Sequence, residues 1–200
     1  RARVMSDGVP LRGEVTVQIQ NNEESVIDSL VFLLNPGFKL TAVSDDNGRP
    51  VQWVRRMGLV VLPSPLGPGE KASYRFDYAG DIDLDGFDLL RADDLRRLPA
   101  RTGPVMKGDM TAWIRDRSIF LPPRCAWYPR PGVDYGHTEG RPVSFATADI
   151  RVDLPAGLEM VTQGDPGPRT KDADRAVHTW SVTDPVPQFS LNAGEYSVYT

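Results

Sequence analysis

Three aspartates alternate along the middle of the chain, in the run Asp81-Ile-Asp83-Leu-Asp85-Gly86. Carboxylates at alternate positions can converge on one hard cation, and a following glycine permits the sharp turn of a calcium loop. Asp81, Asp83 and Asp85 are therefore candidate calcium ligands. The twelfth position of such a loop, where a bidentate glutamate would stand, is Ala92. The alternative interpretation is an acidic strand exit that ends in a turn.

The chain has one candidate nucleophile, its single cysteine Cys125, which follows Arg124. A neighbouring cation can lower the pKa of a thiol, and His137 is close enough in sequence for a Cys–His pair to be one interpretation. The other is a small apolar residue packed beside Trp127, since no third orienting group is recognisable. The second histidine, His178, shares a strand face with apolar residues, which favours a core position. We assign no catalytic residue to this chain.

Composition excludes several classes of function. Of 200 residues, 23 are Lys or Arg and 27 are Asp or Glu, and the resulting net charge of −4 disfavours nucleic acid or an anionic membrane surface as a partner. One cysteine cannot form an intrachain disulfide framework or a Cys-rich zinc module. The two histidines are 41 positions apart (178 − 137), so the helical HExxH zinc pair is absent. No apolar run approaches the roughly 18 residues of a membrane-spanning helix.

Alternation of apolar and polar residues recurs along most of the chain, as in strands that bury one face. The clearest case places Val15, Val17 and Ile19 on one side of a strand. Strands are predicted at 14–20, 29–35, 38–44, 51–55, 59–62, 72–78, 113–114, 119–121, 146–154, 158–162, 176–182 and 188–193. About ten short strands separated by turns predict an all-β fold, an antiparallel β-sandwich.

The segment from about 81 to 111 breaks this pattern, because it is rich in charge, glycine and proline. It contains the one plausible helix, at 87–98, and we expect an irregular or short helical insert there. We expect residues 1–200 to form a single β-sandwich domain. The chain opens at Arg1 and stops at Thr200 inside an apparent strand, which predicts that it is excised from a longer chain.

Several stretches of this sequence match, in order and spacing, a pattern known from one enzyme family. They are 11–17, 30–35 with 38–43, 62–70 with 78–80, 126–129, 145–158 with 163–164, and the closing residues Pro185, Phe189, Gly194 and Tyr196. Together they resemble the N-terminal β-sandwich domain of the aminopeptidase N family of zinc metallopeptidases.

The resemblance implies that the zinc site lies in a missing downstream catalytic domain, and that the sandwich packs against that domain beside the peptide substrate. In the family, a polar residue from the loop before an aromatic-proline turn reaches the substrate. The corresponding region, 118–125, contains no glutamine, so no residue is carried over. The Trp-Tyr-Pro turn and the long 81–111 segment resemble bacterial members attached to transporter-permease membrane segments. Localisation is left unassigned.

Two functional hypotheses follow. The first is a non-catalytic accessory domain of a zinc aminopeptidase-like protein, which shapes one wall of its peptide cleft. The second is a free-standing protein-interaction sandwich. Both need an interface, and aromatic and arginine side chains in loops are suited to one. The candidate interface residues are Trp113, Arg124, Trp127, Tyr128, Arg130 and Tyr135.

Overall fold

The computed structural model describes residues 2–5 by their backbone, and residues 11–56, 58–83, 112–132 and 145–196. This part of the chain contains strands and one 3-10 turn (Pro123–Cys125) but no α-helix, which confirms the all-β prediction. None of its helical segments could cross a membrane. The predicted helix at 87–98 and most of the 81–111 insert lie outside the described residues. The strands are β1 (Ala2–Met5), β2 (Leu11–Gln20), β3 (Leu30–Leu33), β4 (Phe38–Asp45), β5 (Val54–Arg56), β6 (Leu59–Leu62), β7 (Lys71–Gly80), β8 (Trp113–Arg115), β9 (Ser118–Leu121), β10 (Arg130–Pro131), β11 (Ala146–Pro155), β12 (Glu159–Val161), β13 (Asp165–Pro166), β14 (Thr170–Asp172), β15 (Arg175–Val186) and β16 (Leu191–Gly194).

The large sheet has the strand order β13-β15-β11-β1-β2-β7-β4, and β14 also pairs with β15. Its neighbours are antiparallel apart from β1 and β11, which run parallel with Ala2 opposite Ile150. β1 lies between β2 and β11, which run in opposite directions. It is antiparallel to β2 and is therefore parallel to β11.

Two small antiparallel sheets cover one face of the large sheet. The first small sheet has the order β10-β3-β6-β5 and the second has the order β12-β16-β9-β8. Apolar side chains from all three sheets form one core, and the rings of Phe32 and Phe76 meet across it with centroids 4.8 Å apart. The sandwich is therefore confirmed, with its second layer divided into two.

A bulge in β4 shows how the core dictates register. The pairing of β4 with β7 shifts between Leu40 and Ala42, so that Leu40 and Val43 are both buried although they are three positions apart. In a regular strand, side chains three positions apart would point to opposite faces. The hydroxyl of Thr41 donates to the carbonyl oxygen of Asp77 at 2.8 Å, which holds the bulged backbone against β7.

Two short strands, β13 and β14, lie between the strands predicted at 158–162 and 176–182, where no strand is predicted from the sequence. Their residues are exposed and show no apolar alternation, because they pair along one edge of β15 and bury little of their own surface. Pro166 and Pro168 lack amide donors, and they make this edge a poor template for further pairing.

Candidate interaction surface

Asp81 and Asp83, two of the candidate calcium ligands, directly follow β7, and both take part in hydrogen bonds within the chain. Asp81 Oδ1 accepts a hydrogen bond from the amide of Ile82 at 2.7 Å, and the amide of Asp83 donates to Asn35 Oδ1 at 2.9 Å. No group of three His, Cys, Asp or Glu side chains that could hold a metal ion occurs in the described part of the chain. Asp85 lies outside that part, so the calcium site stays a prediction.

Asn35 is a buried junction that was not singled out from the sequence. Its Nδ2 donates to the carbonyl oxygens of Cys125 at 3.1 Å and Asp83 at 3.2 Å, and its Oδ1 also accepts from the amide of Gly37 at 3.0 Å. It thereby joins the end of β3, the exit of β7 and the 3-10 turn. The signal for this role was present, since a polar residue followed by Pro-Gly closes an otherwise apolar strand.

Neither Cys125 nor His178 is placed for chemistry. Cys125 is buried, and burial raises the pKa of its thiol to about 12, so the thiolate nucleophile is absent at neutral pH. His178 is also buried, with Nε2 3.1 Å from the carbonyl oxygen of Leu158. Burial, assisted by the positive charge of Arg169, lowers the pKa of His178 and favours its neutral form. His137 lies outside the described residues.

The aromatic-proline turn after the 3-10 turn is part of the core. Ala126, in the left-handed conformation at φ +48°, redirects the chain so that Trp127 points inward and is 1% exposed. Trp127 Nε1 donates to the carbonyl oxygen of Phe189 at 3.0 Å, and the Tyr128 hydroxyl accepts from the amide of Phe189 at 3.2 Å. The Tyr78 hydroxyl donates to the carbonyl oxygen of Trp127 at 2.8 Å.

Trp127 and Tyr128 therefore differ from their predicted role as interface residues. Their rings fill the space between sheets and their polar atoms bond within the domain, so they offer a partner almost no surface. Among the other candidates, Arg124 is exposed, and Trp113 and Arg130 are partly exposed. Tyr135 lies outside the described residues.

Trp113 belongs to a row of side chains on the outward face of the second small sheet. The cross-strand register places Val161, Asn192, Phe120 and Trp113 side by side on β12, β16, β9 and β8. We call these four residues the aromatic row. Their sequence neighbours Met160, Ala193 and Ile119 are in the core, so the row points the opposite way.

The two rings of the aromatic row are held by local contacts. The rings of Trp113 and Phe120 have centroids 4.9 Å apart, and the Arg115 guanidinium lies 5.4 Å from the centroid of Trp113. Trp113 Nε1 donates to the Ser118 hydroxyl at 3.0 Å. The rings therefore present pre-positioned apolar surface, of the kind that anchors protein interfaces.

Comparison with known proteins adds a fold relationship. No family model matches this sequence, and no curated protein is significantly similar to it. Among solved structures, it is similar to an M1 zinc metallopeptidase from Deinococcus radiodurans (TM-score 0.68, 22% identity, covering 96% of this chain and 40% of that one). A mutant of that organism's enzyme bound to a Tyr-Ser-Ala substrate has a TM-score of 0.67 at 22% identity, with the same coverage.

A further similar structure is a two-domain M1 zinc metallopeptidase mutant bound to L-arginine, with a TM-score of 0.67, 22% identity and coverage of 96% and 40%. This chain thus spans about 40% of the length of the enzymes that it matches. At this identity the likeness shows the fold alone: the described sandwich recurs as a part of M1 zinc metallopeptidase chains.

Proposed function

We propose that this chain is the non-catalytic N-terminal accessory domain of a zinc aminopeptidase-like protein. In this proposal it packs against a catalytic domain and shapes one wall of that domain's peptide cleft. The observation that carries the proposal is the coverage, 96% of this chain against 40% of a two-domain metallopeptidase. Nearly all of this chain matches a part of that enzyme, and more than half of the enzyme lies outside the match. In the proposal, that other part holds the zinc and the reacting groups.

Hydrogen bonds within the chain support the proposed role as a rigid wall of the peptide cleft. The side chains of Asn35 and Trp127 form buried hydrogen bonds to segments that are far apart in sequence. These bonds restrict the backbone around the 3-10 turn. Sites on rigid, hydrogen-bonded supports are positioned more accurately than sites on loose loops. Arg124 is exposed beside the aromatic-proline turn.

The first test is the gene downstream of codon 200. An HExxH motif followed by a glutamate roughly 20 residues later would supply two histidines and a carboxylate as zinc ligands. The full gene product should then bind zinc and release amino-terminal residues from peptides, whereas the 200-residue chain should do neither. A stop codon or an unrelated module in that position would overturn the proposal, as would peptidase activity of the chain that survives chelation and repurification.

A finer proposal concerns the parent protein. The Trp-Tyr-Pro turn and the long segment at about 81–111 support a bacterial parent linked to transporter-permease membrane segments. Hydrophobic stretches of about 20 residues elsewhere in the same open reading frame are expected in that case. An open reading frame without any such stretch would contradict this linkage and leave the accessory-domain proposal intact.

The aromatic row favours a second candidate, a free-standing interaction domain. Its outward rings would serve an external protein as well as they would serve a tethered domain. The two candidates separate at the same gene test, because only a free-standing domain is compatible with a chain that lacks a metallopeptidase partner.

A further inference from the structure

We propose that Asn47 is a site of spontaneous deamidation, and that the native turn around it protects it until that turn opens. The turn spans residues 45–48 and lies at the end of β4. The only co-reactant is water, and the products are ammonia and a chain with aspartate or isoaspartate at position 47. This proposal does not depend on the proposed function.

The reaction joins the asparagine side chain to the backbone nitrogen of the next residue. That nitrogen forms a bond to the side-chain Cγ and gives up its proton, and the side-chain nitrogen leaves as ammonia. Water then opens the resulting cyclic imide at either of its two carbonyls, which gives aspartate or isoaspartate. The residue after the asparagine controls the rate, because a Cβ atom there crowds the ring that forms.

Among the five asparagines of this chain, only Asn47 is followed by glycine. Asn35 is buried and precedes Pro36, which has no N–H to give up. The others, at 21, 22 and 192, precede asparagine, glutamate and alanine. Asn47 and Gly48 are both exposed, and a Cβ built on Gly48 would meet no atom within 4 Å. Position 47 therefore combines the right neighbour with access to water.

The conformation of the turn opposes the reaction. The Gly48 nitrogen donates to the Asp45 carbonyl oxygen at 3.0 Å, which closes a four-residue turn. Among the described non-glycine residues, only Ala126 and Ala173 have positive φ, so neither central residue of the turn does. A hydrogen-bonded turn of this kind is of type I, in which ψ at the third residue is about 0°. The Gly48 nitrogen is then turned toward the backbone nitrogen of Asn47 and away from its side chain.

Asp45 holds the turn closed. Its Oδ1 accepts from the amides of Asn47 at 2.9 Å and Arg49 at 2.8 Å, and its own amide donates to the Arg49 carbonyl oxygen at 2.9 Å. Ring closure requires the turn to open and release Gly48. The rate in the native protein is therefore the intrinsic rate multiplied by the fraction of time that the turn is open.

Deamidation changes the turn permanently. It adds a carboxylate next to Asp45 and Asp46 and takes the net charge from −4 to −5 (−4 − 1). Isoaspartate also inserts one more carbon atom into the main chain, so the pairing of Asp45 with Arg49 cannot re-form in the same register. A chain that has once reacted in the open turn therefore carries a change that refolding does not reverse.

The test compares the native protein with a synthetic peptide of residues 42–52, which serves as the unfolded reference. Both are incubated in the same mildly alkaline buffer, and peptide mapping by mass spectrometry gives the rate at position 47. Mapping also separates this reaction from isoaspartate at Asp7 and Asp85, which precede glycines but release no ammonia. We expect the native protein to react at least about fivefold more slowly, since several hydrogen bonds must break first. A smaller difference overturns the protection, and a peptide that keeps Asn47 intact overturns the site.

Two variants test the part that Asp45 plays, with each native rate divided by that of the peptide carrying the same substitution. Asp45→Ala removes the acceptor of two backbone amides and should raise this ratio by about fivefold or more. Asp46→Ala is the matched control. It removes the same charge, but within the described residues the Asp46 carboxylate accepts from the Asn47 side chain and from no backbone amide. An equal rise in both variants, or a rise in neither, would overturn protection by this turn.

Discussion

Gly13, in the middle of β2, can be tested as the residue that makes room for Tyr78. The two residues are opposite each other on β2 and β7, and atoms of the Tyr78 ring occupy the place where a side chain at position 13 would begin. A Cβ atom at position 13 would be 2.1 Å from Tyr78 Cζ and 2.5 Å from its hydroxyl oxygen, whereas real Cβ contacts below 3.0 Å essentially do not occur. The substitution Gly13→Ala must therefore displace the ring.

The expected cost follows from what the displaced ring loses. The Tyr78 hydroxyl donates to the buried carbonyl oxygen of Trp127 at 2.8 Å, and the ring packs edge-on against Phe38 with centroids 5.2 Å apart. Overpacking, a broken buried hydrogen bond and a weakened aromatic pair together predict a loss of about 2–4 kcal/mol in the free energy of unfolding. For a domain of this length, that loss lowers Tm by roughly 4–16 °C.

The assay is chemical denaturation followed by tryptophan fluorescence, carried out as a double-mutant cycle with Tyr78→Leu. Leucine lacks the ring atoms that the new Cβ would meet, so in that background Gly13→Ala should be neutral or should stabilise by about 0.5–1 kcal/mol, because alanine is better than glycine within a strand. Gly157→Ala is the control, since a Cβ there meets no atom within 4 Å. An equal cost of Gly13→Ala in both backgrounds would refute the steric reasoning.

Three further predictions concern buried polar groups. The free energy of unfolding should be level between about pH 6.5 and 8 and should fall as the pH drops below that range, because the unfolded chain protonates His178 more readily than the folded chain does; His178→Gln should flatten this slope in urea titrations. Cys125 should not react with a thiol reagent at pH 8 until the chain unfolds, and rapid labelling of the native chain would contradict its burial. Asn35→Asp sets a carboxylate against the carbonyl oxygens of Asp83 and Cys125 and should lower stability by about 2 kcal/mol or more; an unchanged Tm would show that the junction is unimportant.

Strands with one buried face were predictable from the sequence, because alternation is a local property. β6 (Leu59–Leu62) begins and ends where it was predicted, and β11 (Ala146–Pro155) differs from its prediction by one residue. β13 and β14 were missed because an exposed strand held only by its neighbour has no alternation to detect. The parallel pairing of β1 was missed as well, since local patterns do not encode which distant strands become neighbours.

The candidate surface was predictable only in part, for a related reason. Residue type identified Trp113 and Trp127 alike as interface candidates, because tryptophan suits both a core and an interface. Tertiary placement separates them: Trp127 bonds inside the domain, while Trp113 belongs to an outward row.

The central position of β1 has a consequence for the order in which the protein is made and folded. β1 lies between β2 and β11, and Ala2 pairs with Ile150, which is 148 positions later in the sequence (150 − 2). During synthesis, β2, β7 and β4 can pair well before β11 leaves the ribosome. The strand edge that later pairs with β11 is therefore unpaired for several seconds at ordinary elongation rates. Closing so distant a contact is slow, and we expect nascent chains that end before residue 150 to depend on chaperones.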